Sequence, residues 1–566
     1  MNSDDTPDDH DLVPLSTVLA LDDDENTPEL AVDRRIAVSL LLTGREPQVI
    51  SGPALRRTAS WARLWRRRHP RRAELAAAAP LVDAFRRQHP EARDELEWLQ
   101  NSYRVAAYLH GDQMRKSGAP YITHPLAVAT ILAEIGMDAT TLVAALLHDT
   151  VEDTDYTLGE CRADFGSEVA LLVDGVTKLD GKRLGKEVAE RKTFAKMVLA
   201  AGADLRVLLI KLVDRLHNLR TLGAQPPHKQ ARIAQQSMDL LVPFCERLGL
   251  YRLKCEMEDL AFRYLHPADY EAAVSAMLVG ETERERYFAG VTARMAAAVR
   301  GQGLRATVIA QPRHLYSLYQ ANPDGVGELT AGRVCRVVIV VEGVERDCWI
   351  ALGAVHQEFA PIPNRLRDYL AAPKFNLYRS LHTSVIGPGG EQVDVLIRTP
   401  AMQEVAEDGI AATIREISRT TGHAAAGEPA QQRGDLEWLQ QLLSWQGQTP
   451  TEEYLDDLRT ALRGGSIVVV AAPTGEFITL PHGATGVDYV FARGSHVGNL
   501  VSLRVNGRFV AATAPLRNGD LVEAITTCEY DDVPPEWLTA ARTPHARRQL
   551  RAILELQNND DVDGIN

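Results

Sequence analysis

The chain has 566 residues, 45% of them hydrophobic and 24% charged, which is enough for three or four domains with ordinary buried cores. A net charge of −14 argues against a general nucleic-acid coat, since phosphate binding needs a concentrated cationic surface. No run approaches the roughly eighteen apolar residues of a membrane span, the amino terminus is acidic, and the six cysteines form no CxxC pair, so a soluble protein of the reducing cytoplasm is expected.

Residues 1–30 hold ten Asp or Glu and no Lys or Arg, and residues 1–50 read as an acidic, largely disordered tail. Residues 51–94 form an Arg-rich helical lead-in, with eight arginines around Trp61 and Trp65 between Arg56 and Arg72, read as one solvated helix face. Over 95–270 apolar residues recur at three and four with almost no alternation, which predicts an all-helical domain. From about Gly301 the runs RVCRVVIVV and DVLIRT, set between Gly/Pro turns and helical pieces, predict an α+β domain over 271–423. A linker with a helix around Trp438 to Trp445 fills 424–465. Residues 466–528 then read as a small ubiquitin-like β-grasp sheet with a hairpin turn at Pro473 to Gly475 and a second hairpin at Asn506-Gly507. Residues 529–566 complete the chain as a helical segment and tail.

Two short polar runs interrupt the helical domain, His148, Asp149, Glu152 and Asp153 in ALLHDTVEDT and Asp214 with Asn218 in KLVDRLHN. Both continue apolar stretches, so folding would bury carboxylates and imidazoles at high cost unless a cation balances them. A single continuous helix would set His148 above Glu152 and Asp149 above Asp153 on one face. One such face cannot encircle an ion, and His124 in PYITHP and Asp214 are the further ligands expected from elsewhere in the domain. Two imidazoles and two carboxylates suit a six-coordinate ion such as manganese better than a closed thiolate zinc site, and this set is the HD phosphohydrolase signature. Glu152 and Asp153 remain as non-ligating carboxylates for acid and base work, and Arg115, Lys116 and Ser117 offer cationic and hydroxyl groups to a phosphorylated ligand.

Through HGDQMRKSGAPYITHP, ALLHDTVEDT, KLVDRLHNLRTL, PIPNRLRDYLAAPKFNLYRSLHTSVIGP and PPEWLTAARTPHARRQLRAIL, about residues 95 to 555 closely resemble the RelA/SpoT homologue family of long stringent-response enzymes. The resemblance implies an HD hydrolase domain, a nucleotidyltransferase-like synthetase domain and a TGS domain, with the carboxy-terminal regulatory modules of full-length members missing. It implies removal of the 3′-pyrophosphate of guanosine tetra- or pentaphosphate, with Mn2+ held by His124, His148, Asp149 and Asp214. Arg115 would lie against guanine, and Lys116, Ser117, Asn218 and Thr221 would line the nucleotide pocket. Ala119 replaces an acidic residue usual in the family.

The synthetase motifs are altered. The family's GRPKH reads AQPRH, which puts Gln311 in place of an arginine and Arg313 in place of a lysine. EVQIRT reads DVLIRT, so that Asp394 is one methylene shorter than the family's catalytic glutamate. Two histidines become Gln403 and Thr413, and gap-free counting places Val334 where a magnesium-binding aspartate belongs; the lookalike Glu328 needs an insertion. Arg313, His314, Tyr378, His382 and Asp394 are the remnant of the site. A silent synthetase is expected. In the third module, Gly494 and Asn499 stand at the two histidine positions of IHTEVGH, with His496 displaced, so no ribosome-linked tRNA sensing and no stable nucleic-acid partner are expected. The alternatives are a bifunctional synthetase/hydrolase, an HD hydrolase retuned to another nucleotide, and a non-catalytic alarmone-binding regulator.

Overall fold

The computed structural model of the chain describes residues 76–177, 196–198, 200–321, 331–374, 376, 378–421, 466–494, 500–526 and 533–563. The acidic tail, the arginines between Arg56 and Arg72, the 424–465 linker, Glu328, His496 and Asn499 lie outside the described residues.

The first unit is built from helices α1 (Ala79–Gln88), α2 (Arg93–His110), α3 (Thr123–Glu134), α4 (Ala139–Leu147), α5 (Thr150–Asp153), α6 (Leu158–Phe165), α7 (Ser167–Val176) and α8 (Arg206–Arg220), followed by α9 (Pro227–Gln236), α10 (Val242–Arg247) and α11 (Tyr251–Leu265). Helix α4 is apolar on nearly every side, and every residue of it except Thr140 is buried, so it forms the axis against which α2, α3 and α7 pack. Its start is fixed by Asp138, whose carboxylate accepts the Thr141 N–H at 2.9 Å. Asp138 also faces Arg206, a guanidinium only 1% exposed that donates to Asp204 at 2.7 Å and Glu168 at 2.6 Å. This buried hub ties the beginning of α4 to α7 and α8.

The helical core is wider than the 95–270 segment. Leu81 and Phe85 of α1 join it at one end, and Ile410, Ala411 and Ile414 join it from the far end of the next unit. Those three residues begin helix α18, introduced below, so the two units share apolar packing.

Helices α12 (Pro267–Leu278) and α13 (Glu281–Gly301) lead into a mixed five-stranded sheet. In chain order its region comprises β1 (Arg305–Pro312), α14 (Leu315–Ala321), α15 (Ala331–Val334), β2 (Cys335–Glu342), α16 (Glu345–Glu358), β3 (Arg367–Asp368), β4 (Leu381–Ile386), β5 (Gln392–Arg398), α17 (Pro400–Asp408) and α18 (Ile410–Thr421). The strand order is β1-β2-β5-β4-β3, with β2 and β5 parallel and the other pairs antiparallel. The alternating pattern of β2 and β5 sends Val337, Ile339, Val341, Val393, Val395 and Ile397 into one core with α13 and α16. Helix α11 reaches this unit through Asp259, which accepts the Leu315 and Tyr316 N–H groups at 3.2 and 2.8 Å, and through Glu258, 2.7 Å from His314 Nε2. At the other contact Gly409 has φ +52°, and a Cβ there would lie 2.1 Å from the Leu248 carbonyl oxygen, so only glycine lets Ile410 N–H reach that oxygen at 2.9 Å.

The third described unit is a separate five-stranded sheet. It consists of β6 (Ser466–Ala471), β7 (Glu476–Pro481), α19 (Gly486–Ala492), β8 (Leu500–Val505), β9 (Arg508–Val510) and β10 (Leu521–Thr526), ordered β7-β6-β10-β8-β9, with α20 (Glu536–Ala540) and α21 (Pro544–Asp563) after it. Both expected hairpins form, and Asn506 and Gly507 take φ values of 49° and 79° between β8 and β9. Helix α19 buries Val487, Tyr489 and Val490 on the sheet, and Asp488 under it accepts the N–H groups of Thr485, Arg542 and Thr543.

Candidate functional site

The single helix expected through the His-Asp pair does not run straight through. Helix α4 stops at Leu147, His148 and Asp149 form a turn with near-helical dihedrals, and α5 resumes at Thr150. The cause is local: the His148 Nδ1–H donates to Ala145 O at 2.7 Å and Thr150 Oγ1 donates to Leu147 O at 2.6 Å, engaging carbonyls that a continuing ladder would use. Asp153 N–H still reaches Asp149 O at 2.9 Å, so these two carboxylates stay one turn apart.

The four residues expected to grip a metal converge from three elements. His124 enters from the first turn of α3, His148 and Asp149 from the α4–α5 corner, and Asp214 from α8. His124 Nε2 lies 3.1 Å from Asp214 Oδ1 and 3.6 Å from Asp149 Oδ2, and His148 Nε2 lies 3.2 Å from Asp149 Oδ1. All four are buried, and His124, His148 and Asp214 alone already bring one ligand atom each within 4.8 Å of one another. Because the Nδ1–H of His148 is used by Ala145, its Nε2 carries a lone pair, and that buried atom has no hydrogen-bond partner among the described residues. A divalent cation at this point would satisfy it, and the donor set of two imidazole nitrogens and two carboxylates fits such an ion. Burial works to raise the Asp214 carboxyl, but Lys211, 3.0 Å away, and His124 outweigh it and hold the group well below the usual carboxylate range.

The acid and base candidates sit beside this cluster. Glu152 is half-buried on α5, while Asp153 is exposed and accepts the Tyr121 hydroxyl at 2.6 Å. The same hydroxyl lies 2.9 Å from Asp149 Oδ2. Gln113 adds a second grip by donating to Asp153 O at 2.7 Å, and Tyr121 stacks on His110 with ring centroids 4.7 Å apart. Burial, with Asp149 and Asp153 alongside, pushes the Tyr121 phenol far up, so it remains a donor. Burial pushes the His110 imidazole down, against its Gln113 hydrogen bond and the two nearby aspartates.

The expected nucleotide-contacting residues lie on the same side. Arg115 donates to Asn218 Oδ1 at 3.1 Å and sits 3.3 Å from His217 Nδ1, while Asn218 Nδ2 donates to Asp214 Oδ1 at 2.6 Å. Lys116 reaches Gln225 at 3.0 Å, Ser117 is exposed on the same loop, and Thr221 Oγ1 donates to His217 O at 3.0 Å. Ala119 takes part through its backbone, its carbonyl accepting the Arg115 N–H at 2.8 Å.

Sequence reasoning missed Tyr121 and His217. The signal was present in the spacing: Tyr121 is three residues before His124, and His217 three residues after Asp214 on one helical face. His217 Nδ1 lies 2.7 Å from His124 Nδ1. Burial, with His124 and Arg115 nearby, pushes the His217 pKa down to about 3.

The remnant residues of the sheet unit do not all meet. Arg313, His382 and Asp394 line a cavity of about 230 Å³ together with Arg336, Arg365 and Arg367. Asp394, the only carboxylate among those lining residues, is held by Arg313 at 2.5 Å, Ser384 at 2.6 Å and Gln392 at 3.0 Å. Tyr378 pairs with His382 at 2.7 Å, and Lys374 lies over its ring. His314 turns away to Glu258 of the helical unit. Val334 is buried in the sheet core, and Gln311 accepts from Arg336 Nε at 2.9 Å.

Comparison with known proteins follows the same division. Residues 102–251 match the HD domain model, and residues 328–416 match the model of the region found in RelA/SpoT proteins. A GTP pyrophosphokinase of Streptomyces coelicolor is 42% identical over 85% of this chain and 58% of its own length. The bifunctional (p)ppGpp synthase/hydrolase RelA of Mycobacterium tuberculosis is 43% identical over 83% of this chain and 64% of its own. A probable guanosine-3′,5′-bis(diphosphate) 3′-pyrophosphohydrolase of Synechocystis is 37% identical over 80% of this chain and 60% of its own. The chain thus spans about three-fifths of the curated relatives it matches. With an HD domain and a RelA/SpoT region joined in that order, the chain belongs to the RelA/SpoT homologue family.

Proposed function

We propose that the chain is a Mn2+-dependent hydrolase that removes the 3′-pyrophosphate of guanosine tetra- or pentaphosphate, giving GDP or GTP and pyrophosphate, and that its synthetase activity is lost. The observation that carries the hydrolase reading is the convergence of His124, His148, Asp149 and Asp214 on the unpartnered His148 Nε2, beside Arg115 and Asn218. The relative named as a 3′-pyrophosphohydrolase supports the substrate class.

When bound, the cation would lower the pKa of a coordinated water and neutralise charge on the phosphoryl oxygens. The chain supplies the rest. Arg115, braced by Asn218, takes the guanine side, and Lys116, Ser117 and Thr221 take the sugar and phosphate side. Asp153, oriented by Tyr121 and Gln113, and Glu152 position the attacking water and return its proton to the departing pyrophosphate.

The silent-synthetase reading rests on the Arg313–Asp394 pair, which occupies the carboxylate nearest in kind to a catalytic glutamate, and on Val334 being buried in the core. A bifunctional enzyme is the second reading, favoured by the name of the mycobacterial relative. The third unit reads as a TGS domain without tRNA sensing, and the whole as a cytoplasmic protein with no membrane or stable nucleic-acid partner. The described cysteines are free thiols, and no described helix is long and apolar enough to cross a membrane. The test is pyrophosphate release from guanosine tetraphosphate with Mn2+ and with chelator, beside an incubation with labelled ATP and GDP. No Mn2+-dependent release refutes the hydrolase, and robust tetraphosphate synthesis refutes the silent synthetase.

A further inference from the structure

His148 and His124 reach the metal cluster in different ways. His148 has its Nδ1–H fixed by a main-chain carbonyl, Ala145 O, which can only accept. His124 has no such carbonyl; its Nδ1 faces another imidazole nitrogen, His217 Nδ1, at 2.7 Å. One proton must lie between those two nitrogens, because two lone pairs or two N–H groups would repel at that distance. The third participant decides on which ring it sits. Arg115 Nη1 approaches His217 Nδ1 at 3.3 Å, and a guanidinium has donors only. His217 Nδ1 therefore accepts, chiefly from His124 Nδ1–H at 2.7 Å with the longer Arg115 contact sharing the lone pair, and the proton belongs to His124 Nδ1. The His124 Nε2 lone pair is then left for a cation held between it and the Asp149 and Asp214 carboxylates, which it would otherwise repel.

The geometry points to His217 as the positioning residue that sets the ring orientation and tautomer of His124 for metal binding and, through the same nitrogen, anchors Arg115. The inference rests on the metal reading of this site. His217 meets the metal arm through His124 and the nucleotide arm through Arg115, both from one atom. Outer partners of metal-bound histidines commonly govern affinity in this manner, but most are carboxylates or carbonyls that face the metal ligand alone. Here the acceptor is shared with the arginine on the nucleotide side, so one substitution weakens two functions that neighbouring residues affect separately. Helix α8 makes this economical, since Asp214, His217 and Asn218 fall on one face and meet the cluster, His124 and Arg115 in turn.

The experiment measures Mn2+ affinity by titration calorimetry on the full chain without nucleotide, then KM and kcat for guanosine tetraphosphate at saturating Mn2+. His217→Phe keeps the ring volume and removes the acceptor; it should weaken Mn2+ binding about ten- to a hundredfold and raise KM. His217→Asn places an amide oxygen near the lost Nδ1 and should stay within about threefold of the parent in Mn2+ affinity, less than half a decade of binding constant. Arg115→Ala should raise KM while leaving Mn2+ affinity within the same margin. Parent-like Mn2+ affinity in His217→Phe overturns the inference, as does equal weakening in His217→Asn. A measurement on the unaltered protein covers a variant that fails to fold: the ring-nitrogen ¹⁵N spectrum of the zinc-loaded chain should show His217 Nδ1 bare and His124 Nδ1 protonated, and the reverse assignment overturns the inference. Should the parent bind Mn2+ yet release no pyrophosphate, the proposed substrate falls, while the affinity ranking still decides the role of His217.

Discussion

The helical pocket and the arginine-lined cavity of the sheet unit differ in which buried atom folding leaves without a partner, an imidazole nitrogen, His148 Nε2, in the first and a guanidinium nitrogen, Arg313 Nε, in the second. Around His124, His148, Asp149 and Asp214, ligand atoms are packed close with one buried imidazole nitrogen, His148 Nε2, lacking a partner, an arrangement that could hold a cation. Around Asp394, the carboxylate already has a guanidinium, a hydroxyl and an amide, and the surrounding arginines outnumber it. A buried imidazole lone pair without a partner is open to a cation, whereas a carboxylate already paired with arginine is not free to hold one.

The comparison breaks most sharply at the metal. His148→Ala should abolish Mn2+-dependent pyrophosphate release, by about three orders of magnitude or some 4 kcal/mol of transition-state stabilisation. It should leave the melting of the sheet units unchanged by circular dichroism. Parent-like turnover in that variant would mean the cluster is an ordinary polar network.

The brace behind the pocket comes next. Arg206→Ala removes the cation from Asp204, Asp138 and the exposed Glu168, and denaturant titration should show the helical unit losing about 3–5 kcal/mol, because the buried Asp204 and the largely buried Asp138 are left uncompensated. A loss below about 1 kcal/mol would show the hub to be solvated.

Separating the ligands from the acid/base pair sharpens the picture further. Asp153→Asn should lower kcat about a hundred- to ten-thousandfold while Mn2+ affinity stays at the parent value, since Asp153 is exposed and one turn beyond the ligand Asp149. A matching fall in Mn2+ affinity would instead make Asp153 part of the metal grip.

The smallest effect probes the join between the two regions. Burial works against a charged His314, but Cys255 and Glu258 beside it prevail and push its pKa up to about 9 from an ordinary 6.5. A group raised on folding contributes stability that is fully present below pH 6.5 and is lost as pH rises through about 9. With solvent screening allowed for, this is about 1 kcal/mol. The stability difference between the parent and His314→Gln, read by denaturant titration, should therefore shrink from pH 6 to pH 10. A difference independent of pH would show that the His314–Glu258 contact is a neutral hydrogen bond.

Much of this arrangement was legible before folding. The helical period over the first unit, the switch to β-branched alternation near Gly301 and the Asn506-Gly507 turn each depend on side chains within a few residues of one another, and the observed elements follow them. The candidate ligands His148, Asp149 and Asp214 stood out because costly polar groups interrupt apolar helical stretches there, and His124 was added from the PYITHP segment. The break between Leu147 and Thr150 was not, because it arises from side chains bonding to carbonyls of their own turn, which residue spacing does not reveal.

Residue identity alone marked His124, His148, Asp149 and Asp214 as candidate metal ligands and showed which synthetase motifs are altered, since those are properties of chemistry at known positions. Only the tertiary structure decided which of these groups end up paired. Arg313 on Asp394, His314 on Glu258, Tyr121 on Asp153 and His217 on His124 are contacts between elements far apart in the chain or on different strands and helices. Hydrogen bonds and desolvation depend on separations of a few ångströms in space, and a linear order of residues carries no such distances.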